Sequence, residues 1–200
     1  MNHTASSHIE IIAPALGHPA ASSAESFGSA AWLWMHSRQH SDLPLMALNN
    51  LLLPSIGLQQ YILLLQSDHK GKRPIAFLCW ANLNAQTEKS YLQSTRRGLQ
   101  SDQWNSGDRM WITDWLTPFG HAPHLHRIAK SLLAKASLRF IAHRGHERGF
   151  HIRIRSGAQV EPAHAMDWWR ERPLLINKPQ AEGPEAPFER TPLLHQHSGR

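Results

Sequence analysis

Between residues 59 and 66 the chain reads QQYILLLQ, apolar at successive rather than alternate positions, which marks a strand covered on both faces. The polar stretch SDHKGKR (67–73) follows, and PIAFLCWANL (74–83) returns, so an antiparallel hairpin is predicted. Upstream, GSAAWLWMH (28–36) is helix-compatible. Asp42-Leu-Pro-Leu is expected to open a second helix, with Asp42 as its cap and Pro54 as its end. Downstream, Asn84 is placed to cap a helix running to about Gln93. Leu125, Ile128, Ala129, Leu132 and Leu133 then recur at helical spacing, with Pro123 suited to the first turn. Leu138–His143 and Phe150–Arg155 form a second predicted hairpin, and a last helix is expected from about Pro162 to Arg172. This order predicts an α+β fold, a mixed sheet covered by helices. Residues 1–26, rich in Ala, Ser, His and Pro, read as a flexible extension. Residues 177–200 read as a Pro-rich tail, which leaves one folded domain over 27–176.

The segment WNSGDRMWITDWLTPFG (104–120) places a single carboxylate, Asp114, inside a Trp-rich strand. Strict alternation sends Trp111, Thr113 and Trp115 to one face and Ile112, Asp114 and Leu116 to the other. An aspartate on a packed face is costly unless paired, so a donor or cation is expected beside it. A turn-capping role or a pair with Arg109 would satisfy the same need.

Lys plus Arg exceed Asp plus Glu by 21 to 15, a net charge of +6, and the pI is about 10.0. That favours acidic partners of some kind, with nucleic acid, anionic lipid and acidic protein all open. One cysteine, Cys79, rules out an intramolecular disulfide and fits a reducing compartment. The first twenty residues lack a basic region followed by a long apolar core, so no signal peptide is expected. No apolar run is long enough to span a bilayer. A cytoplasmic protein without membrane insertion is the expectation.

Most of the 15 histidines cannot be special. His121, His124 and His126 cluster in sequence, but positions 124 and 126 diverge on a helix and no Cys joins them, so no metal site is expected. Cys79 sits between Leu78 and Trp80 with no cation nearby in sequence to activate it, and a structural role is favoured. No G-x-S-x-G elbow or Walker-type phosphate loop occurs. His40 follows an aromatic helix at the entry to the next element. It is a reasonable general base, but on its spacing alone simple exposure is the favoured reading.

Six short blocks extend this picture: Trp32-Leu-Trp; Ser37-x-x-His40-x-x-x-Pro44; Gln60-Tyr61-Ile-Leu-Leu; Trp80-Ala-Asn-Leu; Glu88-x-x-Tyr91-Leu; and Trp104-x-Ser-Gly-Asp108-Arg-x-Trp-x-x-Asp114-Trp-x-x-Pro-Phe-Gly120. From about Ala30 to Gly120 the chain resembles the RTX toxin-activating lysine acyltransferases. The resemblance implies a GNAT-like, mostly antiparallel mixed sheet flanked by helices, and a homodimer. It implies fatty acyl transfer from acyl-acyl carrier protein to internal lysines of an RTX protoxin, with no bound cofactor or metal. His40 and Asp114 match the family's catalytic pair, and Ser37 matches a position that shapes the substrate site. A lysine ammonium must lose a proton before it attacks a thioester, so a base titrating near neutrality suits the reaction. Asp114 would orient that imidazole or hold the incoming lysine, and a transient acyl-histidine is the alternative route.

A coenzyme A-dependent GNAT enzyme would carry a Gly-rich loop after the Asp114 strand. Thr117-Pro-Phe-Gly-His-Ala-Pro123 has one glycine, which fits carrier-protein delivery better. Arg96, Arg97, Lys130, Arg139, Arg144 and Arg148 are candidate contacts for an acidic carrier. Two departures stand out. Leu51 occupies a position where the family commonly has Asn, with Asn49 and Asn50 just upstream, and Cys79 is displaced by one position from the family's cysteine. The competing readings are a basic nucleic-acid or membrane binding module and a catalytically inactive protoxin chaperone. The first explains neither Asp114 nor its motif, and the presence of His40 and Asp114 argues against the second.

Overall fold

A computed structural model describes residues 8–20, 22–69, 71–94, 98–143 and 150–175. Six strands form one open sheet in chain order: β1 His8–Ile12, β2 Tyr61–Asp68, β3 Gly71–Leu83, β4 Arg109–Leu116, β5 Ser137–His143 and β6 Phe150–Ser156. Every neighbouring pair is antiparallel except β4–β5. The helices are α1 Ser23–Met35, α2 Ala47–Leu51, α3 Leu53–Gly57, α4 Ala85–Gln93, α5 Ala122–Leu132 and α6 Pro162–Glu171. This is the α+β, mostly antiparallel mixed sheet that the residue pattern and the GNAT-like resemblance imply.

Both faces of the sheet are covered, which explains the unbroken apolar run of β2: Tyr61, Leu63 and Leu65 enter one core, while Ile62 and Leu64 enter the other. The first core holds Leu33 and Trp34 of α1 with Tyr91 of α4. The second holds Leu125, Ala129 and Leu133 from α5 and the residue after it. Asn84 caps α4 as expected, its side chain accepting from Thr87 N at 2.8 Å, and Pro123 lies in the first turn of α5.

Three local expectations are corrected. Residues 8–12, assigned to a flexible extension, add an edge strand to β2, and α1 begins at Ser23, where Ser22 accepts from Glu25 N at 3.1 Å. Asp42 caps no helix. Residues 37–45 form successive turns, and α2 starts after Met46 without a side-chain cap. Pro54 stands in the first turn of α3, where its missing N–H costs no helical bond, so it starts a helix. The Pro-rich tail and the turn of the second hairpin lie outside the described residues.

Candidate active site

β4 departs from strict alternation at one point. Cys79 lies opposite Asp114 but Trp80 lies opposite Ile112, so Thr113 is an extra, bulged residue. The bulge resets the pleat. Trp111 and Leu116, five positions apart, both enter the first core, and Asp114 shares that face through its partner Cys79. Trp111 and Asp114 therefore share a face, where alternation had opposed them. A bulge re-aims a side chain, and here it turns the carboxylate toward α1.

The long motif that precedes Asp114 anchors this strand. Asn105 Oδ1 accepts from Gln60 at 3.1 Å and from Asn82 at 3.3 Å, and Ser106 Oγ accepts from Asn84 N at 3.1 Å. Gly107 packs so closely that a β-carbon there would sit 2.6 Å from the Asn84 backbone, which leaves room for glycine alone. Beside it, Glu88, buried on α4, accepts from Trp111 Nε1 at 2.8 Å and Arg109 Nε at 3.1 Å, and also from Arg139. The pairing of Arg109 is thus with Glu88, not with Asp114. Asp108 accepts from Arg172 Nε at 2.8 Å, which draws the end of α6 to the same edge.

Asp114 is 12% exposed at its side chain. Its Oδ1 accepts from the Trp115 backbone N–H at 2.8 Å and its Oδ2 from Trp34 Nε1 at 3.0 Å. His40 Nε2 lies 3.4 Å from the same Oδ2, and His40 Nδ1 lies 2.9 Å from Ser37 Oγ. Burial pushes the Asp114 carboxyl above the usual carboxylate range, while His40, Trp115 N–H and Trp34 N–H each pull it back. The two residues matched by motif, 74 positions apart in the chain, thus meet at their side chains, and Ser37 stands on the far side of the imidazole. His40 is held by the turns after α1, where its N–H bonds to Ser37 O at 3.0 Å and Leu43 N–H bonds to its C=O at 3.0 Å. Its ring lies 4.5 Å from that of Trp34.

Trp34 was legible only as part of an aromatic block. Its donor role depends on a carboxylate 80 residues away, which spacing cannot reveal. The Asn49 and Asn50 side chains are exposed, and Ser37 takes the ring nitrogen that an asparagine could have oriented. Cys79 is fully buried, and burial followed by the Asp114 charge pushes its thiol up to about 12. Its Sγ meets Thr113 Oγ1 at 3.3 Å. A thiolate nucleophile is therefore disfavoured. Arg139, expected on a surface for an acidic carrier, is instead buried. It pairs with Glu88 and stacks over Trp168 and Trp169 at 5.2 and 5.4 Å. Lys130 remains exposed, while Arg96, Arg97, Arg144 and Arg148 lie outside the described residues.

His40 and Asp114 line a cavity of about 940 Å³ that also touches α5 through His126, Ala129 and Lys130. Among the described residues, no group of three or more His, Cys, Asp or Glu is gathered as a metal site would need. The rings of His121 and His124 lie 5.9 Å apart, and His126 faces Trp115. Among the described residues, no helix is long and apolar enough to cross a membrane.

The fold and site define a GNAT-like α+β protein with a His–Asp pair in the wall of a large cavity. Residues 19–155 match the sequence profile of the RTX toxin acyltransferase family, and the chain belongs to that family. It is similar to the protein-lysine myristoyltransferase RtxC of Kingella kingae, with 38% identity over 114 residues, 57% of this chain and 65% of that protein. It is also similar to the leukotoxin-activating lysine-acyltransferase LtxC of Aggregatibacter actinomycetemcomitans, with 46% identity over 99 residues, 48% of this chain and 55% of the relative. The RTX-I toxin-activating lysine-acyltransferase ApxIC of Actinobacillus pleuropneumoniae is 43% identical over 103 residues, 52% of this chain and 57% of the relative. The matched segments thus span between half and two thirds of these relatives' lengths.

Proposed function

We propose that the protein is a lysine acyltransferase that moves a fatty acyl group from acyl-acyl carrier protein to internal lysines of an RTX protoxin. The observation that carries this reading is the contact of His40 with Asp114 at 3.4 Å, in the wall of the large cavity. The carboxylate faces Nε2, which orients the ring and stabilises the imidazolium that forms when the base takes a proton. Nδ1 is then the basic nitrogen, and the Ser37 hydroxyl beside it relays the proton from the attacking amine. The lysine nitrogen bonds to the thioester carbonyl, the C–S bond breaks, and the proton held by the imidazole leaves with the carrier thiol. Asp114 acts through His40, so it orients the base instead of holding the lysine.

Delivery by a carrier protein is supported by the segment between β4 and α5. It has one glycine, Gly120, with φ of +82°, and the first turn of α5 contains Pro123, which offers no N–H to a pyrophosphate. Exposed Lys130 at the cavity suits a phosphate on the carrier's arm. Homodimeric assembly rests on the family resemblance, and a cytoplasmic location on the single cysteine, which fits a reducing compartment. Purified protein incubated with a protoxin fragment and either myristoyl-acyl carrier protein or myristoyl-coenzyme A tests the reading. Lysine amides should form with the first donor at least tenfold faster. Equal rates would overturn the carrier assignment, and no amide with either would overturn the activity.

A further inference from the structure

β4 pairs with β5 only from Met110 to Ile112 against Leu138 to Phe140, although both strands continue past it. The cavity is lined by Thr113, Asp114 and Ile141, which lie just beyond the last pair. It also touches residues of both cores, which occupy opposite faces of the sheet. It therefore passes through the sheet where the parallel strands part, with His40 and Asp114 at the passage.

The two halves differ in chemistry. On the α5 face the wall contains Leu78, Leu133 and Leu138, but also His126, Lys130 and Arg155. Arg155 lies opposite Leu138 in the β5–β6 ladder and so shares that face. On the α1–α4 face, beyond Trp34, His40 and Asp114 at the passage, the wall is Leu51, Tyr91, Leu99, Trp104 and Ile141, which adds no further charged side chain. Trp104 there is 1% exposed and fixed at both ends, its indole donating to Asn50 O at 3.2 Å and its C=O accepting from Asn82 N at 2.8 Å. Asn82 lies three residues along β3 from Cys79, the partner of Asp114, so the Trp104 backbone lies about 10 Å along the sheet from that of Asp114 at strand spacing.

We propose that the charge-free half is the acyl-chain pocket and that Leu51 and Trp104 set the longest chain it accepts. The cationic half then takes the phosphate-bearing arm of the donor, and the thioester is presented at the passage beside His40. This rests on the acyl-transfer reading above. A saturated chain gains by leaving water for an apolar wall and loses nothing to unpaired polar groups there. Each buried methylene adds about fourfold to affinity, so a wall that stops the chain discriminates by length.

The test compares carrier-protein donors from octanoyl to stearoyl with wild type, Leu51→Trp, Trp104→Leu and, on the α5 face, Leu138→Trp. Binding of sodium myristate by native mass spectrometry is measured alongside. Leu51→Trp should lower the palmitoyl-to-decanoyl rate ratio at least tenfold and weaken myristate binding. Trp104→Leu should shift the preference toward longer chains, while Leu138→Trp should slow all donors alike. If Trp104→Leu does not fold, Leu51→Trp alone decides. Acylation with an unchanged length profile in Leu51→Trp, or a profile shifted by Leu138→Trp, overturns the pocket. Myristate binding lost in Leu51→Trp while wild type acylates no lysine overturns the transferase and keeps the pocket. Neither binding nor acylation by wild type overturns both.

Discussion

Trp34→Phe isolates one hydrogen bond at the centre of the site. The substitution keeps an aromatic side chain beside the His40 imidazole, where the native indole lies 4.5 Å away, and removes the indole N–H that reaches Asp114 Oδ2 at 3.0 Å together with part of the buried ring. A hydrogen bond to a charged, mostly buried acceptor contributes about 1.5–3 kcal/mol. Without it, Asp114 Oδ1 keeps the Trp115 N–H, and Oδ2 is held by His40 alone. If that bond holds the carboxylate where it stabilises the imidazolium, its loss appears in the transition state and lowers kcat by roughly ten- to hundredfold. KM for the protoxin should change little, because Trp34 is buried in the core beneath the pair. Initial rates of protoxin acylation over a range of protoxin concentrations separate the two constants, and a thermal melt confirms cooperative folding. An unchanged kcat in a folded variant would refute the positioning role, as would a loss confined to KM.

Cys79 should resist iodoacetamide at pH 8 in the folded protein and react once urea exposes it, because burial holds its thiol up to about 12; Cys79→Ala should keep the wild-type kcat within a few fold, and rapid labelling of the native state would contradict this. Asp114 has a raised carboxyl pKa in the folded state, so its ionised form costs stability that is absent below its unfolded value of 3.8 and grows as pH rises through the folded value. Melting temperatures from pH 4 to 8 should therefore shift in favour of Asp114→Asn relative to wild type as pH rises, and the opposite trend would refute the burial argument. Glu88→Ala leaves Arg139 buried without its carboxylate and should cost about 3–5 kcal/mol in urea unfolding. A loss under about 1 kcal/mol would mean that the Arg139 guanidinium finds other partners.

Elements whose signals are local were readable from the residues. Asn84 capping α4, Pro123 opening α5 and the hairpin around residues 67–73 all depend on neighbours a few positions away. Pro54 misled because proline equally ends one helix and begins the next, and the register of the short α2 and α3 decides between them. β1 escaped because an edge strand of five residues is defined by pairing with β2, some fifty positions on. The Thr113 bulge escaped for a related reason, since an inserted residue shows only against a partner strand. Arg139 looked like surface charge until Glu88, 51 positions away, came beside it. The union of His40 and Asp114 was reached through family resemblance; periodicity could say only that Asp114 needed a partner.

The central claim is that His40 and Asp114 together drive acyl transfer to lysine. Co-expression with an RTX protoxin, followed by peptide mass spectrometry of every protoxin lysine, tests it most directly. Wild type should give fatty acyl amides on specific internal lysines. His40→Ala and Asp114→Ala, each shown to be folded, should leave those lysines unmodified or lower their occupancy by at least a hundredfold. Undiminished acylation in either variant would contradict the account.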